Sequence, residues 1–101
     1  MIKHIVMWKL KDEAEGNIKK DNISIIINKL NALVPVIEEI SSLEIGENFN
    51  PTDAAYDVVL ITTHQDRNGL AAYVQHPAHR EAASFIGKVV ADRKVVDFEV
   101  E

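Results

Sequence analysis

From Ile2 to Leu10 the chain alternates in a period of two. Ile2, His4, Val6, Trp8 and Leu10 face one way and Lys3, Ile5, Met7 and Lys9 the other, which predicts a strand ending near Lys11. KDEAEGN then reads as a turn. Beyond it Ile23, Ile27, Leu30, Val34 and Ile37 recur at spacings of four and three, with Ile26 and Leu33 widening the stripe. That spacing predicts an amphipathic helix. The ISIII run prefers a strand because its side chains are β-branched, but the helical period persists over four turns and is the stronger signal. Pro35 ends or kinks this helix, since its ring clashes with the carbonyl four residues back.

A second strand is expected in SSLEIGENF, with Leu43 and Ile45 on one face. Asn50, Pro51 and Asp53 mark a turn, and AAYDVVLITTH follows as the clearest strand, apolar from Val58 to Ile61. The region from about Leu70 to Val90 is mainly helical, with Gly87 a point of interruption rather than an end. RKVVDFEV closes the chain as a fourth strand, placing Val96, Phe98 and Val100 on one face and Val95, Asp97 and Glu99 on the other.

The order is therefore β-α-β-β-α-β, an α+β layout with a four-stranded antiparallel sheet and both helices on one side. The first and third strands carry large apolar groups on both faces, yet two helices cover only one. The bare face would be an apolar patch of a size that monomers rarely expose. Pairing of two chains through that face is the simplest way to bury it.

Composition narrows the partners. The 101 residues predict a single domain over 1–101, and 47% hydrophobic with 27% charged residues is ordinary globular composition. A net charge of −5 argues against nucleic acid or an anionic membrane as partner. There is no cysteine, which excludes disulfides and thiolate chemistry, and no glycine-rich cradle for phosphate, so no cofactor is expected. The opening MIKHIVMWKL lacks the long apolar core of a signal peptide or membrane span, which makes the cytoplasm the expected location.

The densest candidate chemistry is YVQHPAHREAASF, Tyr73 to Phe85. Pro77 suits the first position of a helix and His76 the cap before it, so HP is accounted for as a helix start without any chemistry. His79 falls in the first turn on a face with Ala82, Ala83 and Ile86, as a histidine at the core edge or a proton carrier in a pocket. A zinc site is the third reading, but HxxH supplies at most two ligands, and His64 and Asp66 would have to join it. His4 shares the face of Val6, Trp8 and Leu10, where a buried imidazole needs a hydrogen-bond partner. It is either tied to the structure or a pocket acid–base group, a task its ordinary pKa near 6.5 suits. Tyr73 could present a phenol to a carbonyl or phenolic molecule, or simply pack.

Three stretches, IKHIVMWKLK, LEIGENF with YDVVLIT, and YVQHPAHREAASFI with VVDFEV, together resemble the stress-responsive α/β-barrel family, also called the dimeric α/β-barrel or Dabb domain. The resemblance covers essentially the whole chain. It implies a ferredoxin-like protomer and a homodimer whose two sheets face each other around a barrel. It does not imply one activity. Plant members related to polyketide cyclisation use a histidine, a tyrosine and a second histidine at positions matching His4, Tyr73 and His79, and a further tyrosine where this chain has Ile27. The resemblance thus implies a small apolar ligand, with cofactor-free cyclase-like or monooxygenase-like chemistry as the alternative to ligand binding alone. A non-catalytic module would have its interior filled by side chains.

Overall fold

In a computed structural model that describes residues 1–100, the chain forms one four-stranded antiparallel sheet with three helices packed on one face. Glu101, the last residue of the expected domain span, lies outside the described residues. Strand β1 (Ile2–Leu10) is central. It pairs on one side with β5 (Val58–His64), which continues to β4 (Ser42–Glu47), and on the other with β6 (Val90–Glu99). All three pairings are antiparallel. The predicted β-α-β-β-α-β order and the single helical layer hold.

The expected turn after β1 is itself a small hairpin, β2 (Glu13–Ala14) with β3 (Asn17–Ile18). Glu15 and Gly16, both at positive φ (53° and 76°), form its two-residue turn, the geometry that matches the twist of paired strands. Buried Asn22 fastens this hairpin to the first helix: its Nδ2 donates to the Ala14 carbonyl at 3.0 Å, and its Oδ1 accepts from Asn17 at 3.2 Å.

Helix α1 spans Lys19–Asn31, starting earlier and stopping sooner than the apolar period suggests. It ends at Asn31, the residue whose carbonyl the Pro35 ring would strike. The chain then runs through tight turns, with Leu33 N–H donating to Leu30 O and Val36 N–H to Leu33 O. The buried stripe is also centred one residue off. Ile26 and Leu33 are fully or nearly buried, Ile27 is half-buried, and Val34 is exposed. Leu33 and Ile37 still reach the core, but through turns rather than a helix.

The second helical region divides into α2 (Arg67–Gln75) and α3 (Pro77–Val89) at His76, and Gly87 lies inside α3 without breaking it. A residue before proline is pushed out of the helical region, and His76 sits at φ −60°, ψ 134°. Asp66 caps α2 by accepting from Gly69 N–H at 2.7 Å. The core lies between α1, α2 and α3 and the sheet face that carries Val6, Trp8, Val58 and Leu60.

The other sheet face has no layer over it. Ile5 stands between Ile61 and Val96, Met7 between Val59 and Lys94, and Lys3 between Thr63 and Phe98. Met7, Val96 and Phe98 are exposed. Among the described residues no helix is long and apolar enough to cross a membrane.

Candidate functional site

A cavity of about 310 Å³ lies between the helix-covered face of the sheet and helices α1 and α3. Its wall is mostly apolar, from Trp8, Leu30, Leu60 and Ile86 among others, and its polar side chains are His4, His79 and Arg93. A void of this kind, apolar with a few converging polar groups, is the usual form of a small-molecule site.

His4 is brought there by the alternation of β1 and is 5% exposed. Its register partner on β6 is Asp97, whose carboxylate accepts a hydrogen bond from Nδ1. Asp97 therefore fixes the ring's orientation and leaves the proton on Nδ1, with Nε2 free of any protein partner among the described residues. His79 comes from the first turn of α3. Its Nδ1–H donates to the Val74 carbonyl at 3.0 Å, which again leaves Nε2 open. Burial lowers the pKa of His79. The Val74 carbonyl opposes that shift, while repulsion from the nearby Arg93, and from His4 and His76 whenever they carry a proton, adds to it. A neutral imidazole with a free Nε2 is the form a general base needs.

Tyr73 is fully buried and does not line the cavity. Its ring centre is 4.5 Å from that of His79, 4.9 Å from His64 and 6.1 Å from His4. Its hydroxyl has no partner, and burial pushes its pKa up to about 12. An unmet buried hydroxyl costs about 1–3 kcal/mol. Tyr73→Phe is accordingly expected to raise stability by about 1 kcal/mol, read as a melting temperature several degrees higher. A lower melting temperature would mean that the hydroxyl has a bonded partner after all.

His64, a candidate only as a metal ligand in the sequence, is a fully buried member of the same cluster. It donates from Nδ1 to the Glu39 carbonyl at 2.8 Å and accepts from the Thr62 hydroxyl at 2.9 Å, so both nitrogens serve the fold. His76 caps α3, its Nδ1 accepting from Ala78 N–H at 3.0 Å. The HxxH pair thus spends one nitrogen of each ring on the α2–α3 junction, His76 on the start of α3 and His79 on the end of α2. Among the described residues no three metal-ligating groups come together. Ile27 is not on the cavity wall.

Burial also lowers the pKa of His64, with the Glu39 carbonyl opposing. His64 and His79 are therefore held neutral in the fold, whereas in the unfolded chain they take up protons near pH 6.5. The unfolded state binds more protons as pH falls through that value, so stability falls with it. Urea unfolding at fixed protein concentration should show a lower midpoint at about pH 5.5 than at about pH 7.5, and His64→Gln should flatten that slope. An unchanged midpoint would contradict the buried neutral imidazoles.

The sequence singled out His4 and His79 but missed the two β6 residues that complete the site, Asp97 and Arg93. The sequence places Asp97 on one strand face with Val95 and Glu99 and names no partner for it. In the fold Asp97 meets His4, and Glu99 finds an arginine, Arg67, at 2.6 Å. The alternation of β6 carried part of the signal, since it sets Asp97 opposite to Val96 and Phe98. The register that aligns it with His4 is a long-range pairing.

A split β-α-β sheet with one bare apolar face, one helical layer and a histidine-lined cavity between them defines a ferredoxin-like α/β-barrel protomer. Residues 2–100 match the Stress responsive A/B Barrel Domain, and the chain belongs to that family. An uncharacterized protein of Streptomyces coelicolor is 28% identical over 98% of this chain and 99% of its own. A dimeric ferredoxin-like protein of unknown function from Thermobifida fusca superposes with a TM-score of 0.85 at 27% identity, over 98% of this chain and 90% of that one. A hydroxynitrile lyase from Passiflora edulis also reaches 0.85, over 99% of this chain and 93% of that one. At 15% identity this likeness shows the fold alone.

Proposed function

We propose that the protein works as a homodimer joined through the bare sheet face, and that each protomer holds a small apolar molecule in the cavity between sheet and helices. The dimeric Thermobifida relative and the uncovered Ile5–Ile61–Val96 row support the pairing. Further, His79 Nε2 withdraws a proton from the bound molecule next to a carbonyl, forming an imidazolium and an enolate. His4, oriented by Asp97, donates to the enolate oxygen from Nε2 in its doubly protonated form, and the His79 imidazolium returns its proton to the product. This chemistry calls for no cofactor. Tyr73, packed against the His79 ring and off the cavity wall, serves to position that imidazole rather than to bond the ligand itself.

The observation that carries this reading is that His4 and His79 share one open cavity, each with Nδ1 tied to a protein acceptor and Nε2 left over. The same observation counts against a filled, non-catalytic interior. A surrogate substrate suffices for the test: an aryl 1,3-diketone is incubated in deuterated buffer and loss of its α-proton signal is followed by NMR. Exchange faster than buffer alone supports the base. Binding without accelerated exchange leaves a ligand-carrying module and removes the catalytic reading.

A further inference from the structure

The third polar group on the cavity wall has no role in the proton chemistry above. Arg93 lies on β6 opposite Trp8, four residues along β1 from His4, and its charge is close enough to His79 to add to the lowering of that imidazole's pKa. Its guanidinium makes no ion pair with any described residue, and it stacks on no aromatic ring; the cation–ring contacts among the described residues are Lys9 with Tyr56 and Lys29 with Phe85.

This is not for lack of carboxylates. Each acidic side chain of β6 is committed elsewhere: Asp92 to the Tyr56 hydroxyl and to Lys94 at 3.8 Å, Asp97 to His4, Glu99 to Arg67. Asp92 also accepts from the backbone N–H of Arg93 at 2.9 Å, which leaves the guanidinium itself unused. Nor is Arg93 part of a basic surface, because the chain carries a net charge of −5. An arginine at an apolar cavity with its planar fork unpaired is suited to a carboxylate, which it can bind through two parallel hydrogen bonds.

We infer that Arg93 selects the ligand: the site takes a small molecule with an apolar, ring-sized body and an anionic head, a carboxylate held on Arg93 while the body lies along the apolar wall beside the imidazoles. The inference rests on the reading of the cavity as a small-molecule site. It also fits the composition of the wall, whose polar side chains are Arg93 and the two imidazoles on an otherwise apolar lining.

Trp8 is the chain's one tryptophan and part of the wall, so its fluorescence reports occupancy directly. The probes are 4-phenylbutyrate with its neutral counterpart 4-phenylbutyramide, and octanoate with octanamide, titrated to millimolar concentration with calorimetry in parallel. Wild type should bind each acid at least about tenfold more tightly than its amide. Arg93→Met should lose that preference and leave the amide affinity unchanged. Arg93→Lys should keep part of it, as a point charge without the fork. Equal affinity for acid and amide in wild type, or a preference that survives Arg93→Met, overturns the role of Arg93 and leaves the cavity reading standing. If neither acid nor amide of either pair binds, the cavity reading fails and Arg93 fails with it.

Discussion

Replacing Ile61 with arginine is expected to turn a dimer into a monomer. Ile61 lies opposite Ile5 in the middle of the uncovered sheet face, and Ile5 in turn lies opposite Val96. In a face-to-face pair these side chains would be cut off from water, and an unpaired guanidinium there has no compensating partner. The dissociation constant should rise by at least about a hundredfold, as for the loss of a central anchor. Sedimentation at micromolar concentration should show twice 11.3 kDa for wild type and the single-chain mass for the variant. Ile61 is half-buried, so the substitution also strains the protomer. Val96→Arg, at a position 61% exposed in the single chain, separates the two effects. A wild type that sediments as a monomer, or a Val96→Arg protein that remains a dimer, would remove the sheet face as the interface.

The second large effect is on proton transfer. With the diketone exchange assay, His79→Ala should lower the enzymatic rate by at least about tenfold and up to the 10²–10⁴-fold that a positioned acid–base group typically contributes. His79 is half-buried in the first turn of α3 and bonds only the Val74 carbonyl, so its removal should leave the oligomer mass unchanged. His4→Ala should fall into the same range. Asp97→Asn acts through His4 and is distinguishable from a structural lesion by the split between exchange rate and affinity. The amide offers Nδ1–H a weaker acceptor and loosens the ring's orientation, so the exchange rate should fall while the affinity for the diketone and the oligomer mass stay close to wild type. Undiminished exchange in both folded histidine variants would end this assignment.

Much of the architecture was legible because β1 and β5 alternate cleanly and because a face with Ile5, Met7, Val59 and Ile61 has nothing in a two-helix layer to cover it. Helix limits were less legible. The apolar period continues through Val34 and Ile37, but a period reports which side chains are buried, and tight turns after Asn31 bury Leu33 and Ile37 as well as a helix would. The split at His76 was contained in the HP pair, whose local backbone restriction outweighs the helical preference on either side. For the site, parity along each strand placed His4 on the core face, and the helix start placed His79 in the first turn. Neither gives a distance between elements. That Asp97 lies opposite His4, 93 residues away, and that Arg93 reaches the same cavity, follow from the β1–β6 register, which is set by the fold as a whole and has no local mark.

Along β6 the side chains of Val96 and Phe98 point to the bare face, and Asp97, between them, points back to His4. One stretch of backbone thus holds both a proposed subunit contact and the carboxylate that orients an imidazole. On the pairing and the ligand site proposed above, assembly and ligand occupancy would be linked equilibria. A partner chain that presses on Val96 and Phe98 steadies the position of Asp97, and by reciprocity a molecule that locks His4 against Asp97 tightens the grip of one chain on the other. Two cavities on opposite sides of a shared seam would then be linked through the two facing β6 strands, with no hinge, lid or moving domain between them.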